Sequence, residues 1–126
     1  MEMLIDFPGG SRVEAHFKSF NVLTDQPPES SAPTPFDLFL SSLGTCAGIY
    51  VLNFCRQRNL PTEGLLIREQ VHRDPQTGMV TNVDLEIQLP PGFPEKYREA
   101  VIHSAELCAV KKHMETPPQF SITTKT

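Results

Sequence analysis

Of the three cysteines in this chain, Cys46 and Cys108 stand where a thiol can do chemistry. Cys46 lies inside a long apolar stretch with helical character. At 100° per residue, Ser42, Tyr50 and Asn53 fall within about 40° of it on the same face. That face would gather a thiol, two hydroxyls and an amide within an apolar rod. Buried polar groups need partners, so such a cluster reads as a small reactive pocket. The competing reading is plain packing, with Gly44 and Gly48 allowing close helix contact. Cys55 is nine residues further on, about 180° around the helix, among Gly48, Val51 and Leu52, and reads as core. Cys108 closes the buried face of a second helix. A chain break there, with a short helix restarting at Ala109, would put it at a helix N-terminus, where the dipole lowers thiol pKa. The histidines add little: His16 and His72 fall in strands, His103 lies one position off a buried face, and His113 is near a helix end. Pairing Cys46 or Cys108 with His103 or His113 would make a nucleophile for acyl transfer. Cys108 and His113 lack zinc-site spacing, and no metal or cofactor is expected.

The elements that must position these thiols are set off by proline. Twelve of 126 residues are proline, clustered at Pro27-Pro28, Pro33–Pro35, Pro90-Pro91, Pro94 and Pro117-Pro118, between periodic segments. Arg12–Phe17 alternates and Phe20–Leu23 forms another short run, with Gly9-Gly10 read as the turn. Residues 24–33 read as a loop. Thr34 suits the N-cap of a helix, Pro35 its first position and Asp37 the capping-box acid. The body, Phe36 to about Asn59, is apolar on nearly every face and must be buried. At 1.5 Å per residue it would run roughly 35 Å, too long for one small sheet to cover, so a second subunit is expected to cover the rest. A hairpin follows, with strands at 65–73 and 79–89 around Asp74–Gly78. Pro94 opens the second helix, whose buried face is Tyr97, Ala100, Val101, Ser104, Ala105 and Cys108; Lys111, Lys112 and His113 suit a final helical turn. Phe120–Thr124 reads as a last strand. The order predicts a single α+β domain over 1–126 with antiparallel sheet and no internal repeats.

Composition narrows the function. A net charge of -4, with 39% hydrophobic and 21% charged residues, is that of an ordinary soluble domain and argues against a nucleic-acid partner. No uninterrupted run of about 18 apolar residues occurs, so no membrane partner is expected, and the N-terminus lacks the pattern of a signal peptide. An odd cysteine count without a CxxC pair favours a reducing, cytoplasmic setting.

The stretch Pro33–Cys46 (PTPFDLFLSSLGTC) and Cys108-Ala109-Val110, some 60 residues later, resemble the signature of the OsmC/Ohr family of osmotically inducible and organic-hydroperoxide-resistance proteins. The long hairpin between the cysteines and the short C-terminal strand fit as well. The resemblance implies an intertwined homodimer, with two central helices and antiparallel sheets wrapped around them. It also implies a thiol peroxidase: Cys46 attacks an organic hydroperoxide, Cys108 resolves the sulfenic acid to a disulfide, and a lipoyl-type dithiol restores both thiols. In the peroxidase members a glutamate stands ten residues before the first cysteine and an arginine in the preceding loop holds the thiolate. Here Phe36 takes the glutamate's place, with Asp37 next to it, and no arginine occurs between Arg12 and Arg56. The chain looks more like the uncharacterised OsmC-like branch, and an unassisted mid-helix thiol at Cys46 should have a raised pKa. The alternatives are a non-catalytic module binding a small apolar ligand and a thiol-dependent acyl hydrolase.

Overall fold

The computed structural model describes all residues from Met1 to Thr126. They form two compact units, Met1–Ser42 and Leu43–Thr126, the boundary falling inside one helix. The class is α+β with antiparallel sheets, as the order of elements predicts.

The first unit carries a three-stranded sheet in the order β1 (Leu4–Gly9), β2 (Arg12–Phe17) and β3 (Phe20–Thr24). Two features differ from expectation: β1 precedes the expected strands, and the glycine turn lies before β2 and not after it. Gly9-Gly10, both at positive φ, join β1 to β2, whereas Lys18 (φ 51°) marks the turn between β2 and β3. The strand is hard to see because Pro8 interrupts it where the register shifts, between Asp6 and Gly9, a place proline tolerates only at a sheet edge or bulge.

The loop that follows is organised by Asp25, which is 2% exposed. Its carboxylate accepts hydrogen bonds from the hydroxyls of Ser11 and Ser31, each at 2.5 Å, and from the backbone N–H groups of Gln26 and Ser31, each at 2.8 Å. These donors, the Ser11 hydroxyl foremost, hold its pKa well below the usual carboxylate range. The folded value lies below the unfolded one of about 3.9. The contribution is therefore complete above that value and lost as pH falls toward the folded pKa. Protection factors of the Ser31 and Gln26 amides, corrected for intrinsic exchange, should fall on acidification below about pH 4, and Asp25→Asn should abolish that fall. An unchanged pH profile in Asp25→Asn would rule out this origin.

The long helix α1 runs Pro35–Gln57 and starts as its signals predict. Thr34 Oγ1 accepts from the Asp37 N–H, and the Asp37 carboxylate accepts from the Thr34 N–H, both at 3.1 Å, a reciprocal capping box. It stops through a Schellman motif. Asn59 takes the left-handed conformation (φ 54°), while the N–H groups of Leu60 and Asn59 donate to the carbonyls of Cys55 (2.9 Å) and Arg56 (3.2 Å). By length and composition alone α1 could cross a membrane, with a mean hydropathy of 1.6 over 18 residues. Ser41, Ser42, Thr45 and Asn53 interrupt the apolar run without lowering its mean far. Nor is the helix buried all round: Phe36, Phe39 and Ile49 are exposed.

In the second unit the hairpin β4 (Leu66–Arg73) and β5 (Val80–Gln88) pairs Ile67 with Ile87, Glu69 with Leu85 and Val71 with Val83. The turn is built by Asp74, whose side chain accepts from the Gln76 N–H at 2.8 Å, and by Gly78 at φ 75°. Ile67 lies against Gly48 of α1, and the Glu69 carboxylate occupies the space a Cβ on Gly44 would need. Here the two glycines do allow close approach, but to the hairpin. The core gathers Val51, Phe54 and Cys55 of α1 with Phe93 and Val101. The second helix is not continuous. A 3-10 turn at Glu95–Tyr97 leads into α2 (Arg98–Ala105), the chain breaks, and α3 (Ala109–Glu115) restarts. Ala100, expected on the buried face, is exposed. The expected strand at Phe120–Thr124 does not form. Phe120 and Ile122 are exposed and lack a strand to pair with, and an isolated strand has no source of ladder hydrogen bonds.

Candidate functional site

The break between α2 and α3 is what makes the site. Cys108 is the residue before α3, with extended backbone (φ -47°, ψ 124°), so the first N–H groups of the new helix are left without intrahelical acceptors. Cys46, in the middle of α1, faces them. Burial raises the Cys46 pKa, but the nearby backbone N–H of Val110, thiol of Cys108 and N–H of Ala109 each act to lower it, and the net direction is down. Cys108 moves the opposite way: burial raises its pKa, and its thiol and charge relation to Cys46 raise it further, against the Lys111 and Val110 N–H groups. Of the two thiols, Cys46 is therefore the one that gives up its proton more readily. Both thiols are free, Cys108 buried and Cys46 partly accessible. That is the division of labour a nucleophile and a nearby second thiol require.

The helix start does lower a thiol pKa, but that of Cys46 and not of Cys108, because the N–H groups point across to α1. An apolar mid-helix position does not leave Cys46 inert, because donors arrive from another element. No arginine or glutamate is among the groups acting on it. The polar face drawn from helical angles does not assemble around Cys46 either: the Ser42 hydroxyl donates back to the Phe39 carbonyl at 2.6 Å, and Asn53 is exposed. Cys55 is fully buried and its pKa is raised by burial, as a core thiol should be. No histidine acts on either thiol. His113 Nδ1 donates to the Ala109 carbonyl at 2.7 Å and His103 lies 3.9 Å from Glu106, so the cysteine–histidine arrangement for acyl transfer is not formed.

Beside Cys108 is a cavity of about 320 Å³ lined by Leu43, Ala47, Val80, Val83, Leu85 and Met114, with Lys111 as its cation. Its walls are mostly apolar, as expected of a pocket for a small organic molecule.

The groups acting on Cys46 that side-chain patterns could not reveal are the amides of Ala109 and Val110. Their role can be isolated, because Ala109 is the first residue of α3, where proline is favoured, and the Cys108 backbone already suits a residue before proline. Ala109→Pro should keep the fold, remove one donor and raise the Cys46 pKa. A hydrogen bond to a charged group is worth roughly 1.5–3 kcal/mol, so iodoacetamide labelling of Cys46 at pH 7 should slow by about tenfold. Unchanged labelling would exclude the amide as the source of the acidity.

The family profile described as OsmC-like protein matches residues 28–123. No curated protein matches the sequence. Among solved structures the chain is similar to a Psychrobacter arcticus 273-4 protein described as an osmotic stress induced and detoxification response protein. The two share 22% identity and a TM-score of 0.72, with 87% of this chain and 85% of that one covered. It is also similar to an OsmC-like protein from Mycoplasma pneumoniae, at 14% identity and a TM-score of 0.73, over 92% of this chain and 87% of that one. At these identities the structures establish the fold alone, whereas the profile spans most of the chain and includes both cysteines: the protein belongs to the OsmC-like family.

Proposed function

We propose that this protein reduces organic hydroperoxides with Cys46 as the nucleophile and Cys108 as the resolving thiol. The observation that carries the reading is the placement of two free thiols together, Cys46 on α1 and Cys108 just before α3, where the amides of Ala109 and Val110 act to lower the Cys46 pKa. The Cys46 thiolate attacks the terminal oxygen of ROOH, the O–O bond breaks, and the alkoxide takes a proton to leave as alcohol. Cys46 is then a sulfenic acid. The Cys108 sulfur attacks it, water leaves and a disulfide forms. An external dithiol, lipoyl-type by family resemblance, returns both thiols at the expense of its own oxidation. A cytoplasmic setting suits a donor that must be kept reduced. The apolar cavity beside Cys108 favours an organic over an inorganic peroxide, and the detoxification role attributed to the Psychrobacter arcticus protein is consistent with that chemistry.

The same reading includes a homodimer. Phe36, Phe39 and Ile49 on α1, together with Phe120 and Ile122, are exposed in the single chain, and a second copy would cover such apolar surface.

Peptide mass spectrometry under non-reducing conditions tests the central step. After one equivalent of tert-butyl hydroperoxide the expected product is a Cys46–Cys108 disulfide, with Cys55 unmodified. Cys46 over-oxidised without a disulfide, or no modification, would overturn the two-cysteine mechanism.

A further inference from the structure

A second cluster of chemistry-bearing side chains lies on the three-stranded sheet, none of whose strands carries a cysteine. Asp6 on β1 pairs directly with Glu14 on β2, and His16 follows two residues along β2 on the same face. Its Nε2 is 3.1 Å from Asp6 Oδ2 and 3.4 Å from Glu14 Oε1, and the three donor atoms lie within 4.8 Å of one another. Like charges directly opposed on neighbouring strands destabilise the pairing, and a cation between them, the protonated His16 ring or a metal ion in place of its proton, relieves that repulsion.

The imidazole is oriented for that purpose. Asn21, opposite His16 on β3, places its Oδ1 2.7 Å from His16 Nδ1. An amide oxygen only accepts, so Nδ1 carries a proton. Nε2, which donates to Asp6 in the absence of an ion, faces the two carboxylates, and a metal ion would displace its proton. A hydrogen bond from the far ring nitrogen is the usual support of a metal-ligating histidine. Tetrahedral zinc with bonds of about 2.0–2.1 Å holds its ligand atoms about 3.3 Å apart, and the observed 3.1 and 3.4 Å bracket that spacing.

We propose that Asp6, Glu14 and His16 form a divalent transition-metal site, with Asn21 fixing the histidine ring and solvent completing the coordination. One nitrogen and two oxygen donors favour zinc and its first-row neighbours over magnesium or calcium. The side chains remain partly accessible, Asp6 at 61%, so the ion enters from solvent and cross-links β1 to β2. Spacing along the chain hides the site because its ligands sit on two strands.

The test titrates zinc chloride into the full-length Cys46→Ser/Cys108→Ser chain, followed by calorimetry and by 1H–15N spectra of the histidine rings. One ion per chain is expected, with the His16 Nε2 signal shifted and its Nδ1–H retained. Asp6→Asn and Glu14→Gln should each weaken binding at least tenfold, and His16→Gln should abolish it. Asn21→Leu, which removes no ligand, should weaken binding by about 10–100-fold with an unchanged circular dichroism spectrum. The native chain, read only through the His16 ring signal, serves as a second measurement should the serine variant fold poorly. No saturable binding below millimolar zinc, equal binding of magnesium, or binding unchanged in His16→Gln would overturn the proposal.

Discussion

Cys46→Ser should abolish hydroperoxide consumption, with a loss on the order of 10³-fold or more, since removal of a nucleophile eliminates the covalent step outright. Cys108→Ser should behave differently. Its first equivalent of hydroperoxide should be reduced at a rate within about tenfold of native, because Cys46 keeps the amides of Ala109 and Val110 while losing one thiol donor. Turnover should then stop, with Cys46 accumulating as sulfenic and later sulfinic acid. Stopped-flow peroxide consumption with dihydrolipoamide as donor, combined with intact mass, reads both effects. Sustained cycling by Cys108→Ser would remove the resolving role; residual activity in Cys46→Ser would remove the nucleophile.

Phe54→Ala should give the largest loss of stability, about 3–5 kcal/mol against a typical total of 5–15 kcal/mol. Phe54 lies in the core of the second unit, edge-on to Tyr97 with ring centroids 6.0 Å apart, and under the Arg58 guanidinium at 3.8 Å. The Tyr97 contact holds the start of α2 against α1, and the far end of α2 leads to Cys108. Loss of the ring should therefore loosen the geometry on which Cys46 depends. Urea denaturation should show a lowered midpoint, and the variant should label more slowly at Cys46 even where it remains folded. Phe54→Leu, which conserves most of the volume, should cost less than about 1.5 kcal/mol. Equal midpoints for Phe54→Ala and the native chain would contradict the packing argument.

Much of the architecture was legible because it rests on local interactions. Thr34, Pro35 and Asp37 mark the start of α1 by chemistry confined to one turn, and both capping bonds form. The alternation of Val83, Leu85 and Ile87, together with Asp74 and Gly78, marks the hairpin for the same reason. Pro8 disguises β1, and Phe120–Thr124 has strand composition but no partner strand within the chain. Pairing is a property of two segments, and composition describes only one.

The sequence by itself determined that Cys46 and Cys108 are carried by α1 and by the segment ending α2, and that Cys55 points into the core. Which of the two thiols has its pKa lowered follows from the tertiary fold. The groups that lower the Cys46 pKa are main-chain amides, identical in every residue type, and they matter because the chain breaks after α2 and aims the start of α3 at α1. Charge at a thiol depends on donors in three dimensions, so the absence of an arginine or glutamate from its expected position could not settle it.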